Sequence, residues 1–223
     1  MGSNGGRWES FAYDISDMNA PKYFVTEDHI RGALIRFTPS PSEINWQKPW
    51  GMLHGNGTTD YLLLTPNGKG TGGTYEWVAE RNRGRENAAA HYPNCEGIDS
   101  DGETLYFVSK RLQKLFELNL RDNTYTVEST IRGLLDGRPD QVARILTTGN
   151  GEQHLDDILY FTEEGGVDAG KHSRAVQHKL CVLQKSSLTL ISFFHLQVFT
   201  AVTAMEISSR FWSLQFTKMK HQV

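Results

Sequence analysis

Five acidic residues stand where a solvated charge is unusual. Glu9 follows Trp8 at the start of an apolar run, Glu96 follows Cys95, and Asp140 follows Pro139. Glu27 and Glu163 each close such a run, Tyr23-Phe-Val-Thr26 and Leu159-Tyr-Phe-Thr162. Carboxylates at matching places in repeated strands converge if those strands surround one axis. Converging carboxylates repel and require a cation, and hard oxygen ligands suit Ca2+ or Mg2+. Each is weighed against an exposed turn. For Asp101 and Glu103 the turn is the better reading, because Asp99-Ser-Asp-Gly-Glu103 has the composition of a hairpin turn. Cys95 could add a thiolate for a transition metal, although a small buried apolar cysteine is the commoner role. Arg85 ends Arg81-Asn-Arg-Gly-Arg85, read as a loop. Guanidinium forks suit phosphate oxygens; the alternative is a solvated surface loop.

The elements that would position these groups repeat along the chain. Tyr23-Phe-Val-Thr26 leads to Ala33-Leu-Ile-Arg-Phe37, and Tyr61-Leu-Leu-Leu-Thr65 leads to Thr74-Tyr-Glu-Trp-Val78. Leu105-Tyr-Phe-Val-Ser109 leads to Lys114-Leu-Phe-Glu-Leu118, whereas Leu159-Tyr-Phe-Thr162 has no clear follower. Each unit reads as two antiparallel strands. The centres at Tyr23, Tyr61, Tyr106 and Tyr160 lie 38, 45 and 54 residues apart, near the 40–50 residues of propeller repeats. Three of the four units follow an acidic opening. Glu9 and Glu96 are 87 residues apart, and Glu96 and Asp140 are 44 apart, two and one blade lengths. The expected fold is all-β: a β-propeller of antiparallel blades, about three and a half repeats over residues 7–175. A sandwich of unrelated hairpins is the alternative.

The chain has 223 residues, 23 basic and 26 acidic, and a net charge of −3. This excludes a basic nucleic-acid surface. Two cysteines make neither a disulfide framework nor a four-thiolate zinc site. No P-loop, dinucleotide fingerprint or Gly-x-Ser-x-Gly elbow is present. The first residues carry no apolar run, so no export signal is read there. Composition changes after residue 175. All 21 glycines lie at or before Gly170, and residues 176–223 contain one acid, Glu206, against five basic residues. This tail holds an apolar stretch from Leu188 to Val202, too short for a membrane span of roughly 20 residues. It is read as a segment foreign to the domain, or as a helical appendage.

The motifs also carry a family likeness. Arg7-Trp-Glu-Ser-Phe-Ala-Tyr-Asp14, Tyr23-Phe-Val-Thr-Glu-Asp28 and Gly32-Ala-Leu-Ile-Arg-Phe37 together resemble the opening blade of the PhoX-type alkaline phosphatases. Asn94-Cys-Glu-Gly-Ile-Asp99 and Leu159-Tyr-Phe-Thr-Glu163 are similar to blades of that family. The resemblance implies a calcium- and iron-dependent phosphomonoesterase on a propeller, usually exported and acting on small phosphate esters. Glu9, Glu27 and Glu96 would then be metal carboxylates, Cys95 an iron ligand and Arg85 a phosphate contact. Members of that family are longer, so the chain is expected to be a fragment or remnant. Two alternatives stay open: a non-enzymatic calcium-binding platform, and a calcium propeller resembling the senescence-marker lactonases.

Overall fold

The structure is a computed structural model. It describes residues 6–131, 138–145, 158–164 and 181–184, with the backbone alone for 145, 158, 163, 164 and 181–184. The chain is mostly antiparallel β.

Three meanders follow one another. The first runs through β1 (Trp8–Asp14), β2 (Lys22–Glu27), β3 (Ile35–Pro39), β4 (Gly57–Pro66) and β5 (Gly72–Val78). The second runs through β6 (Cys95–Ser100), β7 (Thr104–Ser109), β8 (Lys114–Asn119) and β9 (Thr124–Ser129). The third comprises β10 (Arg138–Ile145), β11 (Ile158–Glu164) and β12 (Cys181–Gln184). Pairing of β5 with β9 joins the first two into one nine-stranded sheet, ordered β1-β2-β3-β4-β5-β9-β8-β7-β6. Its two end strands, β1 and β6, pack together, so the sheet nearly closes into a barrel-like form. Strand β10 packs on β6.

Burial explains the two strand patterns. β3 alternates buried and half-buried residues, as a one-sided strand does. β7 is buried at Leu105, Tyr106, Phe107, Val108 and Ser109, because both of its faces are covered. Leu105 and Phe107 join the largest core with Ala12, Phe24, Leu62 and Tyr92. Tyr106 and Val108 join Val142, Leu159 and Phe161 of the three-stranded sheet β10-β11-β12. Phe107 and Phe116 stack in parallel with centroids 4.7 Å apart. The hairpin between β6 and β7 turns at Asp101 and Gly102 as read from the sequence, and Gly102 has φ +86°.

The structure corrects two expectations. First, Tyr61 does not open a blade of its own: β4 pairs over Gly57–Tyr61 with β3 and over Tyr61–Pro66 with β5, so its hairpin continues the sheet begun by β1. The three acidic openings therefore mark three meanders, whereas the hairpins counted from the sequence overstate the repeat. The long gap between Glu9 and Glu96 is filled by β5 and two helices, α1 (Pro49–Met52) and α2 (Arg81–His91). Second, the Arg81–Arg85 segment is the first half of α2, not a loop. The Ala88-Ala-Ala90 run favours helix, and Gly84 lets the helix lie directly on Tyr61. Asn87 both accepts from Leu64 N (2.8 Å) and donates to Leu64 O (2.9 Å), tying the helix to β4. Beyond residue 175, β12 pairs with β11 as the third strand of the smaller sheet. The expected helix over Leu188–Val202 lies outside the described residues. Among the described residues, no helix is long and apolar enough to cross a membrane.

Candidate metal centre

The three meanders each begin with the same irregularity. β1 pairs Trp8 with Glu27 and Phe11 with Val25, so Glu9 and Ser10 oppose the single residue Thr26. β6 pairs Cys95 with Ser109 and Ile98 with Phe107, so Glu96 and Gly97 oppose Val108. β10 pairs Pro139 with Glu163 and Val142 with Phe161, so Asp140 and Gln141 oppose Thr162. Two residues against one is a β-bulge, which bends a strand and re-aims a side chain. In each case the first bulged residue is the acid. The bulge is fixed similarly in the first and third meanders: Ser10 N donates to Thr26 Oγ1 and Gln141 N to Thr162 Oγ1, both at 3.0 Å.

Because β1, β6 and β10 pack side by side, the three bulged acids meet. One carboxylate oxygen from each of Glu9, Glu96 and Asp140 lies within 4.8 Å of the others. Gly97 makes the approach possible: a Cβ there would collide with the backbone of Gln141 and Val142. Glu9 is at the solvent rim, Asp140 is half-buried and Glu96 is 1% exposed. The Oε1 atom of Glu96 is sealed from water and accepts no well-aligned hydrogen bond. The Lys110 ammonium stands 2.9 Å from it and 3.4 Å from Asp140 Oδ1. Gln141 Nε2 donates to Glu9 Oε1 at 3.1 Å.

The electrostatics follow from this crowding. Burial pushes the Glu96 carboxyl up to about 8; Lys110 opposes the rise, and Asp28 and Glu9 add to it. Glu9 is also raised, by partial withdrawal from water and then by Asp140 and Asp28. Asp28 is held near the group by Asn94, whose Nδ2 donates to Asp28 Oδ1 at 2.8 Å. Three carboxylates within reach of one point are a hard-donor set that fits a cation of the calcium or magnesium class. Glu96 supplies a buried oxygen that such an ion would satisfy.

The remaining candidates are placed elsewhere. Glu27 is buried opposite Trp8 and is outside the group of three. Cys95 is fully buried in the apolar core with Phe24 and Ile98. Burial, then Glu96 and Asp28, push its thiol well above the usual value, so it is a neutral thiol in the metal-free protein. Cys95 lies outside the group of three carboxylates. Arg85 is half-buried on α2, which packs against β4 and β5. The ligand role expected of Glu163 lies outside the described residues.

Lys110 was not singled out in the sequence. One signal was there: it follows Leu105-Tyr-Phe-Val-Ser109 just as Asp28 follows Tyr23-Phe-Val-Thr-Glu27. Among known proteins, the chain matches no family model and no curated protein sequence, so the geometry of the site carries its functional reading.

Proposed function

We propose that Glu9, Glu96 and Asp140 hold a divalent cation, Ca2+ foremost, at the hub of three propeller blades that begin with β1, β6 and β10. We further propose that this hub belongs to a metal-dependent phosphomonoesterase resembling the PhoX type, of which the chain is a part or a remnant. The observation that carries the reading is the threefold bulge, which aims one acid per meander at a common point. Face-to-face packing of consecutive meanders supports the propeller form. A bound cation would polarise phosphoryl oxygens and offset charge in a small phosphate ester.

A calcium-binding platform without turnover is favoured by one feature: a lysine, not Arg85, contacts the carboxylates. The test is a thermal melt of the full chain in chelator and in graded CaCl2, followed by turnover assays on an aryl phosphate and a sugar lactone. A ligand that binds only the folded state raises Tm by mass action. A calcium-dependent rise in Tm with ester hydrolysis supports the phosphatase reading. The same rise with lactone opening, or without turnover, selects the alternatives. No rise removes the metal centre.

A further inference from the structure

The bulge register aligns the three meanders residue by residue. Thr26, Val108 and Thr162 oppose the bulges, so Glu27, Ser109 and Glu163 are equivalent, as are Asp28, Lys110 and Glu164. A matching backbone bond supports the alignment. Asp28 N donates to Arg7 O at 2.8 Å, and Lys110 N donates to Asn94 O at 2.9 Å, each to the residue before its leading strand. Two of the three equivalent positions carry an acid, and the third carries a lysine. That lysine reaches into the carboxylate group, 2.9 Å from Glu96 and 3.4 Å from Asp140.

We propose that Lys110 is a tethered counter-ion, which occupies the cation position of the hub and must swing out before a divalent ion can bind. The inference rests on the cation reading above and adds to it the residue that sets affinity. The geometry suits the role. The backbone of Lys110 is pinned, while its side chain is 16% exposed and so borders solvent. A lysine is a compact charge on a flexible four-carbon stem, able to leave without moving the strand. The group it neutralises includes the 1%-exposed Glu96, whose buried Oε1 accepts no other hydrogen bond among the described residues and whose carboxylate lies within 4.8 Å of Glu9 and Asp140. A single positive charge at that point competes directly with Ca2+ for the same oxygens.

The experiment is calcium affinity of the full chain by isothermal titration with CaCl2, beside melts in chelator, for the wild type and Lys110→Met. Methionine keeps an unbranched apolar stem and removes the charge. The expected result is an at least tenfold tighter Kd in Lys110→Met, with a Tm in chelator below wild type that calcium restores. Lys110→Gln serves if the methionine variant does not fold. Glu96→Gln in either background should abolish the binding, which separates the hub from scattered surface acids. Equal Kd values in two folded proteins overturn the tethered-ion role while leaving the cation site standing. Absence of binding in both removes the cation site itself, and this role with it. Binding by the variant alone is the strongest support.

Discussion

The two ends of the leading strands carry similar numbers of acids but treat them differently. At the far end, Asp14 pairs with Lys22 at 3.0 Å and accepts from Ser16 N and Oγ. Burial alone would raise Asp14, yet Ser16 and Lys22 outweigh it and hold the carboxyl below its usual range. Asp101 pairs with Arg144 at 2.8 Å, Arg144 N donates to Asp99 Oδ2 at 2.6 Å, and Glu103 pairs with Arg121. At the bulged end, Glu9, Glu96 and Asp140 gather around Lys110, and both glutamates are raised. Matched charges fasten the turns. Crowded charges favour a further cation, which is what supports the proposed metal centre at this end.

The most disruptive way to break this contrast is to stop the third meander from docking. Gly97→Ala places a Cβ into the β10 backbone. It should lower stability by about 3 kcal/mol in chemical denaturation and remove any calcium response, since Asp140 no longer reaches Glu96. Next in size, Asp101→Asn weakens the pairing with Arg144, which is 12% exposed, and should cost about 2 kcal/mol by the same measurement.

Glu96→Gln should act in the opposite direction. A carboxyl raised from 4.5 to about 8 keeps its proton in the folded state after the unfolded chain has lost its own. Folding then takes up a proton, so wild-type stability in chelator falls as pH rises from about 4.5 to about 8. The glutamine variant should flatten that slope and gain about 1 kcal/mol at pH 8, roughly 2–4 °C in Tm. A wild-type Tm that is flat over this window would contradict the crowding. The smallest effect belongs to Cys95→Ala. It removes one buried sulfur from the core, should cost about 1 kcal/mol or less, and should leave calcium binding unchanged. Loss of bound metal in this variant would instead support the thiolate reading of Cys95.

The strands around Tyr23, Tyr61, Leu105 and Leu159 were legible because each combines an apolar run with turn residues at its end. The carboxylates were legible because Glu9, Glu96 and Asp140 each follow an apolar residue or proline at a strand start, and those three do meet. Two things misled. Tyr61-Leu-Leu-Leu-Thr65 looks like the other runs, but pairing, which is non-local, makes it the fourth strand of the first meander. Arg81–Arg85 reads as a solvated loop because its arginines are polar, yet Gly84 and Ala88 supply a packing face that takes it into a helix.

Local chemistry therefore determined the β class, the Asp101-Gly102 turn and a set of five candidate acids that includes Glu9, Glu96 and Asp140, because strand patterning and turn residues act over a few neighbouring positions. Tertiary structure alone decided which acids meet and which cation meets them. The convergence depends on a bulge register shared by β1, β6 and β10, on the space left by Gly97, and on a Lys110 side chain reaching across from the end of a neighbouring strand. Those are relations between segments as far as 132 positions apart, such as Gln141 and Glu9, and no local pattern encodes them.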